Sequence, residues 1–250
     1  MAGGIHRLFS PSGPLDSGLS ESFTDSEADP QESRESFRTP SHLLPDELLE
    51  EVRTFLSSYD LLRKESEDRI RRGAEALREA RMYPALSQLV SVLADSGERG
   101  EPEREALDLA QDITTPAVAS LLVAQLGASE SQEERERLIR VIKGTGREGA
   151  MALADALEES RERRERRTFL DALVSLGPLA YEVAQRMMKD SRWFVVRNGV
   201  TALGELGGEE ALSHLTGALG NEHPRVRREA VLALAKLGSR ESEALILGVL

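Results

Sequence analysis

The chain has 250 residues, 40% hydrophobic but only 4% aromatic, so it can bury a core built from many small, similar contacts rather than a few bulky ones. It has no cysteine, which excludes disulfides, thiolate metal sites and a cysteine nucleophile and suits a reducing, cytoplasmic location. Its formal net charge of −12 opposes long-range attraction to nucleic acid or anionic lipid. That charge is uneven: residues 161–228 hold 12 Lys/Arg against 9 Asp/Glu, a local +3 in a chain whose remainder carries −15.

Residues 1–42 read as a disordered tail rich in Ser, Pro and acid, as in Ser20-Glu21-Ser22 and Asp25-Ser26-Glu27-Ala28-Asp29-Pro30. Their apolar residues (Ile5, Leu8, Phe9, Leu15, Leu19, Phe23, Phe37) follow no helical or strand period, and such a segment buries too little surface to offset its ordering entropy. His6-Arg7-Leu8-Phe9 and Ser36-Phe37-Arg38 are the two places in it where a short docking peptide would sit. No basic region followed by a continuous apolar stretch opens the chain, so no secretory signal is expected. No apolar run of about eighteen residues exists, so no membrane span is expected.

Residues 43–102 read as N-terminal capping helices, a degenerate repeat. Pro45 followed by Asp46 and Glu47 predicts a helix start, with Pro in the first turn and acids at the positive end of the dipole. Leu48, Leu49, Val52, Phe55 and Leu56 continue it at helical spacing. A second helix is predicted over 61–80 and a third over 84–94.

Beyond residue 103 the chain repeats itself. One phrase, an apolar residue, one spacer, then Ala-Leu-x-x-Leu-Gly, closes at Gly238, Gly207 and Gly177, more weakly at Gly146 and most weakly at Thr114. The closing positions are 32, 31, 30 and 31 residues apart, the self-similarity of a solenoid. Each closing Gly is expected to take a left-handed backbone, and a second helix follows it: 116–126, 148–157, 178–188, 209–219 and 241–250. That makes about five helix pairs over 103–250, each too small to stand alone and stacked on its neighbours.

These units resemble HEAT repeats in the short form of roughly 30 residues common in bacteria. The similarity is greatest where Asp190-Ser191-Arg192-Trp193-Phe194-Val195-Val196-Arg197 and His223-Pro224-Arg225-Val226-Arg227-Arg228 look like the family's opening phrase. It covers 103–250 clearly and reaches back loosely to 45. The resemblance implies an all-α, right-handed α-solenoid of stacked antiparallel helix pairs and a role in binding other macromolecules, without fixing the partner. The units before 130 lack the Gly ending, and the sequence closes on apolar Leu247-Gly248-Val249-Leu250, where solenoids usually carry a polar cap. Continuation of the repeats, a partner or a second copy would cover that end.

Ten residues before three of the closing glycines stand Arg167, Arg197 and Arg228, expected to form a row across stacked repeats. In one reading each arginine holds carbonyls or an acid of the adjacent repeat; in the other the row binds an acidic peptide or phosphate. The run from Glu158 to Arg167 reads as a solvated, mixed-sign helix face, with nucleic-acid contact as the alternative. Trp193, the only Trp, is expected to pack between repeats or, if exposed, to anchor an interface together with Tyr181 and Arg186. Glu182, Gln185, Lys189, Ser213 and His214 are further polar candidates on the second helices.

Nothing in this set carries chemistry. The four histidines have no metal-ligand spacing, and no phosphate loop, nucleophile elbow or dinucleotide fingerprint is present. The expectation is a non-catalytic, cofactor-free scaffold that binds a protein partner bearing an acidic segment, with nucleic acid disfavoured. A subunit docked through the apolar C-terminal end and a bilin-lyase-like or DNA-glycosylase-like HEAT protein are the competing readings.

Overall fold

A computed structural model describes residues 45–58, 61–96 and 101–248 of the chain. The expected tail, 1–42, and its two docking peptides lie outside the described residues. What is described consists of helices, with no strand among the described residues. They run α1(Asp46–Ser57), α2(Leu61–Glu79), α3(Tyr83–Ser96), α4(Glu101–Ile113), α5(Pro116–Ala128), α6(Gln132–Gly144) and α7(Arg147–Glu159). There follow α8(Arg163–Ser175), α9(Pro178–Met187), α10(Trp193–Leu206), α11(Glu209–Ala218), α12(Pro224–Leu237) and α13(Arg240–Leu247).

Helix boundaries follow local chemistry. Thr115, Ser131 and Ser239 are N-caps whose hydroxyls accept the N–H of Val118, Glu134 and Ser242, and Pro116, Pro178 and Pro224 open α5, α9 and α12. Pro45 differs slightly from expectation: it stands just before α1 as its N-cap, with Asp46 and Glu47 in the first turn. The closing glycines all have positive φ, but only Gly238 (φ 60°, ψ 19°) is left-handed helical. Gly177 (φ 60°, ψ −118°) takes the mirror image of extended backbone, because it must also serve as N-cap of the next helix.

The helices stack as an all-α solenoid. Along one layer α3 packs on α5, α5 on α7 and α7 on α9; along the other α8 packs on α10 and α10 on α12. Each pair feeds a leucine or its equivalent from both members into one continuous core: Leu109 and Leu122, Ile142 and Leu153, Leu173 and Met187, Leu203 and Leu215. Burying each such side chain stabilises the array by about 1.5–3 kcal/mol. α5 is apolar nearly all round because α3, α6, α7 and α8 surround it.

Small residues set the spacing where α10 meets α12. A Cβ on Gly204 would lie 2.6 Å from the Cβ of Ala233, so glycine is what allows this approach.

The loops that open the first helices share one device at a period of 30 or 31 residues. Ser129 and Ser160 donate to the carbonyls of Ser131 and Glu162 at 3.2 and 3.3 Å, while Asp190 and Asn221 accept the N–H groups of Arg192 and His223 at 2.8 and 2.9 Å. Each short polar side chain closes a turn two residues on and so fixes the angle at which the next helix enters the stack.

Candidate anion-binding cleft

Of the three arginines expected in a row, the fold brings two together. Arg167 on α8 and Arg197 on α10 line one cleft of about 340 Å³ with Leu157, Arg163, Arg166, Leu170, Asn198, Thr201 and Glu229. Arg228 does not line it, although its neighbour Glu229 does. The cleft therefore joins two of the three expected arginines, on α8 and α10.

The expectation that these arginines bind carbonyls or acids of an adjacent repeat is corrected as well. Arg167 Nε donates to Asp171 in its own helix at 2.9 Å, and Arg197 Nη2 donates to Asn198 Oδ1 at 3.3 Å. The carbonyl-binding arginines stand one residue earlier. Arg166 Nη1 donates to the Ser160 and Arg161 carbonyls at 3.1 and 2.7 Å, and Arg227 Nη1 to those of Asn221 and Glu222, both at 2.9 Å. Arg135 reaches the Glu130 carbonyl at 2.6 Å in the same way. These three are the fourth residue after their helix's N-cap, from which a long side chain folds back over the opening loop.

Four guanidinium groups therefore face a cleft with a single carboxylate, that of Glu229, which accepts from the Thr201 hydroxyl at 3.0 Å. Arg163 makes no hydrogen bond or ion pair with any described residue. Arg163 and Arg166 belong to the run 158–167, whose mixed signs predict a solvated face, and no local pattern marks Asn198, Thr201 or Glu229. The run instead spans the end of α7, a loop and the start of α8. The signal available was the i, i+3 and i, i+4 spacing of Arg163, Arg166 and Arg167, which puts like charges on one side of α8.

Glu158 at the start of that run is recruited elsewhere. Arg192 donates to it at 2.6 Å and to both oxygens of Asp190 at 2.9 and 2.8 Å, joining the end of α7 to the start of α10. The side chain and backbone N–H of Arg192 hold the Asp190 carboxyl down at about 2, and Asp190 and Glu158 in turn hold the Arg192 guanidinium above its usual range.

Trp193 packs between repeats. Its ring stacks on His223 at 4.1 Å with 4° between planes, and the guanidinium of Arg225 sits 5.2 Å from the Trp ring centroid. Phe194 meets Trp193 edge-on at 6.0 Å and is 37% exposed. Tyr181 and Arg186 lie apart from the cleft on α9. Tyr181 meets His214 edge-on at 6.3 Å with its hydroxyl buried and unpartnered, and burial, then the Glu210 carboxylate, pushes its phenol up. Gln185 and His214 lie 3.0 Å apart, and Arg186 faces Asp155 at 3.9 Å.

Stacked antiparallel helix pairs with a basic cleft on their first helices define a helical repeat scaffold. The family model for HEAT repeats matches residues 150–235 and 200–248, and this part of the chain consists of HEAT repeats. No curated protein matches the sequence. Two crystal structures of engineered proteins of the Northeast Structural Genomics Consortium resemble it. One is 17% identical over 67% of this chain and 79% of that one, with a TM-score of 0.30; the other is 18% identical over 81% and 61%, with a TM-score of 0.26. No helix among the described residues is long and apolar enough to cross a membrane.

Proposed function

We propose that the protein is a non-catalytic, cytoplasmic scaffold that binds a partner protein through an acidic segment laid in the cleft of α8 and α10. The observation that carries this reading is the convergence of Arg163, Arg166, Arg167 and Arg197 around one carboxylate in a chain of net charge −12. Arg166, Arg167 and Arg197 keep guanidinium N–H groups beyond those used on their protein partners, and planar forks of N–H donors suit carboxylates and phosphates. Nucleic acid is disfavoured because no aromatic side chain lines the cleft for base stacking and the rest of the surface repels a polyanion.

Affinity capture from lysate with the intact chain and with an Arg163→Glu/Arg197→Glu variant tests it, after circular dichroism has shown the variant folded. The reading expects a discrete protein retained by the first and lost from the second. Identical capture by both would refute it.

A second reading, a subunit docked against α13, draws on a different surface. Leu247 on α13 is 74% exposed and Leu232 on α12 is 54% exposed, and Leu212, Ala244 and Leu245 line a groove between α11 and α13. Light scattering on the intact chain and on a Leu232→Glu/Leu247→Glu variant checks it, since a monomer in both at high concentration counts against self-association there.

A further inference from the structure

Resting on the scaffold reading, we infer that the acidic group taken by the α8–α10 cleft is a phosphorylated serine or threonine of the partner rather than a run of carboxylates.

The donor set is what separates the two. Arg166 uses only Nη1 on the loop carbonyls and Arg167 only Nε on Asp171, so both keep guanidinium N–H groups for a ligand. Arg197 commits one nitrogen to a neutral amide, and Arg163 commits none. A carboxylate carries one negative charge on two oxygens, about four acceptor sites in all. A phosphomonoester brings close to two negative charges and three strong acceptor oxygens, enough for several forks at once. Arg163, Arg166, Arg167 and Arg197 line one cleft of about 340 Å³, a size that suits one compact, multiply charged group better than an extended acidic strand.

Two further features point the same way. Arg163 opens α8 and Arg166 follows one turn on, at the positive end of the helix dipole, which the Glu162 and Glu165 carboxylates partly offset. Asn198 on α10 supplies an amide at the wall, a group that fixes orientation without adding charge, while the Thr201 hydroxyl is taken up by Glu229. Trp193 stands one helical turn before Arg197, and exposed Phe194 lies beside it, giving the residues that flank a phosphate an apolar surface to rest on.

The experiment is fluorescence anisotropy on the full chain with three peptide libraries of randomised flanks, centred on phosphoserine and phosphothreonine, on glutamate, or on unmodified serine. Inorganic phosphate and an oligo-dT serve as competitors. The phosphorylated library is expected to bind at least about tenfold tighter than the glutamate library and to be displaced by inorganic phosphate. Arg163→Ala and Arg197→Ala should each weaken it by about tenfold or more. Arg163 is exposed and unpaired, so its variant keeps the fold even if the Arg197 variant does not.

Equal binding of the glutamate and phosphorylated libraries would overturn the inference, as would tighter binding of oligo-dT. Failure of every library, with a lysate partner still captured through the arginines, would overturn it while leaving the scaffold reading intact. Loss of the arginine dependence in lysate capture as well would bring down both.

Discussion

Arg192, at the N-cap of α10, reaches back 2.6 Å to the Glu158 carboxylate near the end of α7, tying together two helices that are not consecutive in the chain. Asp190 closes the triad from the loop. Because the Asp190 carboxyl is held at about 2 against an ordinary 3.8, its contribution is full above the ordinary value and lost as pH falls through about 2. An Asp190→Asn variant should therefore melt below wild type at neutral pH, with the gap closing between about pH 4 and pH 2. Thermal melts followed by circular dichroism read this directly. The loop turn itself should survive, since Asn221 makes the same turn one repeat later with an amide.

Gly204 and Ala233 give a test of close packing. Gly204→Ala gains about 1 kcal/mol of helix propensity but forces overpacking against Ala233 that costs about 1–3 kcal/mol, so a net loss is expected. Adding Ala233→Gly should recover much of it. Gly217→Ala on α11 meets nothing within 4 Å and should be neutral or stabilising by up to about 1 kcal/mol. Urea midpoints of the four chains distinguish this from a general intolerance of larger side chains.

Neighbouring arginines should behave differently. Arg166→Ala removes two charge-assisted bonds to loop carbonyls and is expected to cost about 1 kcal/mol or more. Arg167→Ala removes one exposed i, i+4 pair and should change stability by no more than about 0.5 kcal/mol. If anything binds the cleft, the ranking by binding reverses, with Arg167→Ala the more selective loss. Equal destabilisation by both would contradict the assignment of Arg166 as the loop-holding residue.

Trp193 is the only tryptophan, so its emission reports one site. His223→Ala removes the stacked ring and the Nδ1 acceptor for the Arg225 N–H, and should shift emission to the red and lower the melting point. His223→Asn restores a capping acceptor without the ring, so the red shift should persist while part of the stability returns. An unchanged spectrum in both variants would mean that the stack does not shield Trp193 from water.

Much of this fold was legible before any coordinates. The 3.6-residue spacing of small and branched apolar residues, the Pro and Ser starts and the closing glycines locate the helices of 103–247 to within a few residues, because those signals act within one helix or one turn. The cleft was half legible. Arg167 and Arg197 stand out through their fixed distance from Gly177 and Gly207, and Arg163 only through its helical spacing from Arg166 and Arg167, while nothing local distinguishes a Thr201 or Glu229 that faces a neighbouring repeat from one that faces water. Nor could spacing separate Arg166, bound to its own loop, from Arg167, one residue on and paired with exposed Asp171.

The sequence by itself determined the repeated unit, its length and the helix pair within it, because hydrophobic period and turn chemistry are local properties of a chain. Only the tertiary structure decided which arginines share a cleft, that Arg228 is not among them, and that Glu158 is tied to Arg192 rather than to the arginines beside it. Those outcomes depend on the angle between stacked helices, which is set by how closely Gly204 and Ala233 let their helices approach and by the loop turns at Ser160, Asp190 and Asn221.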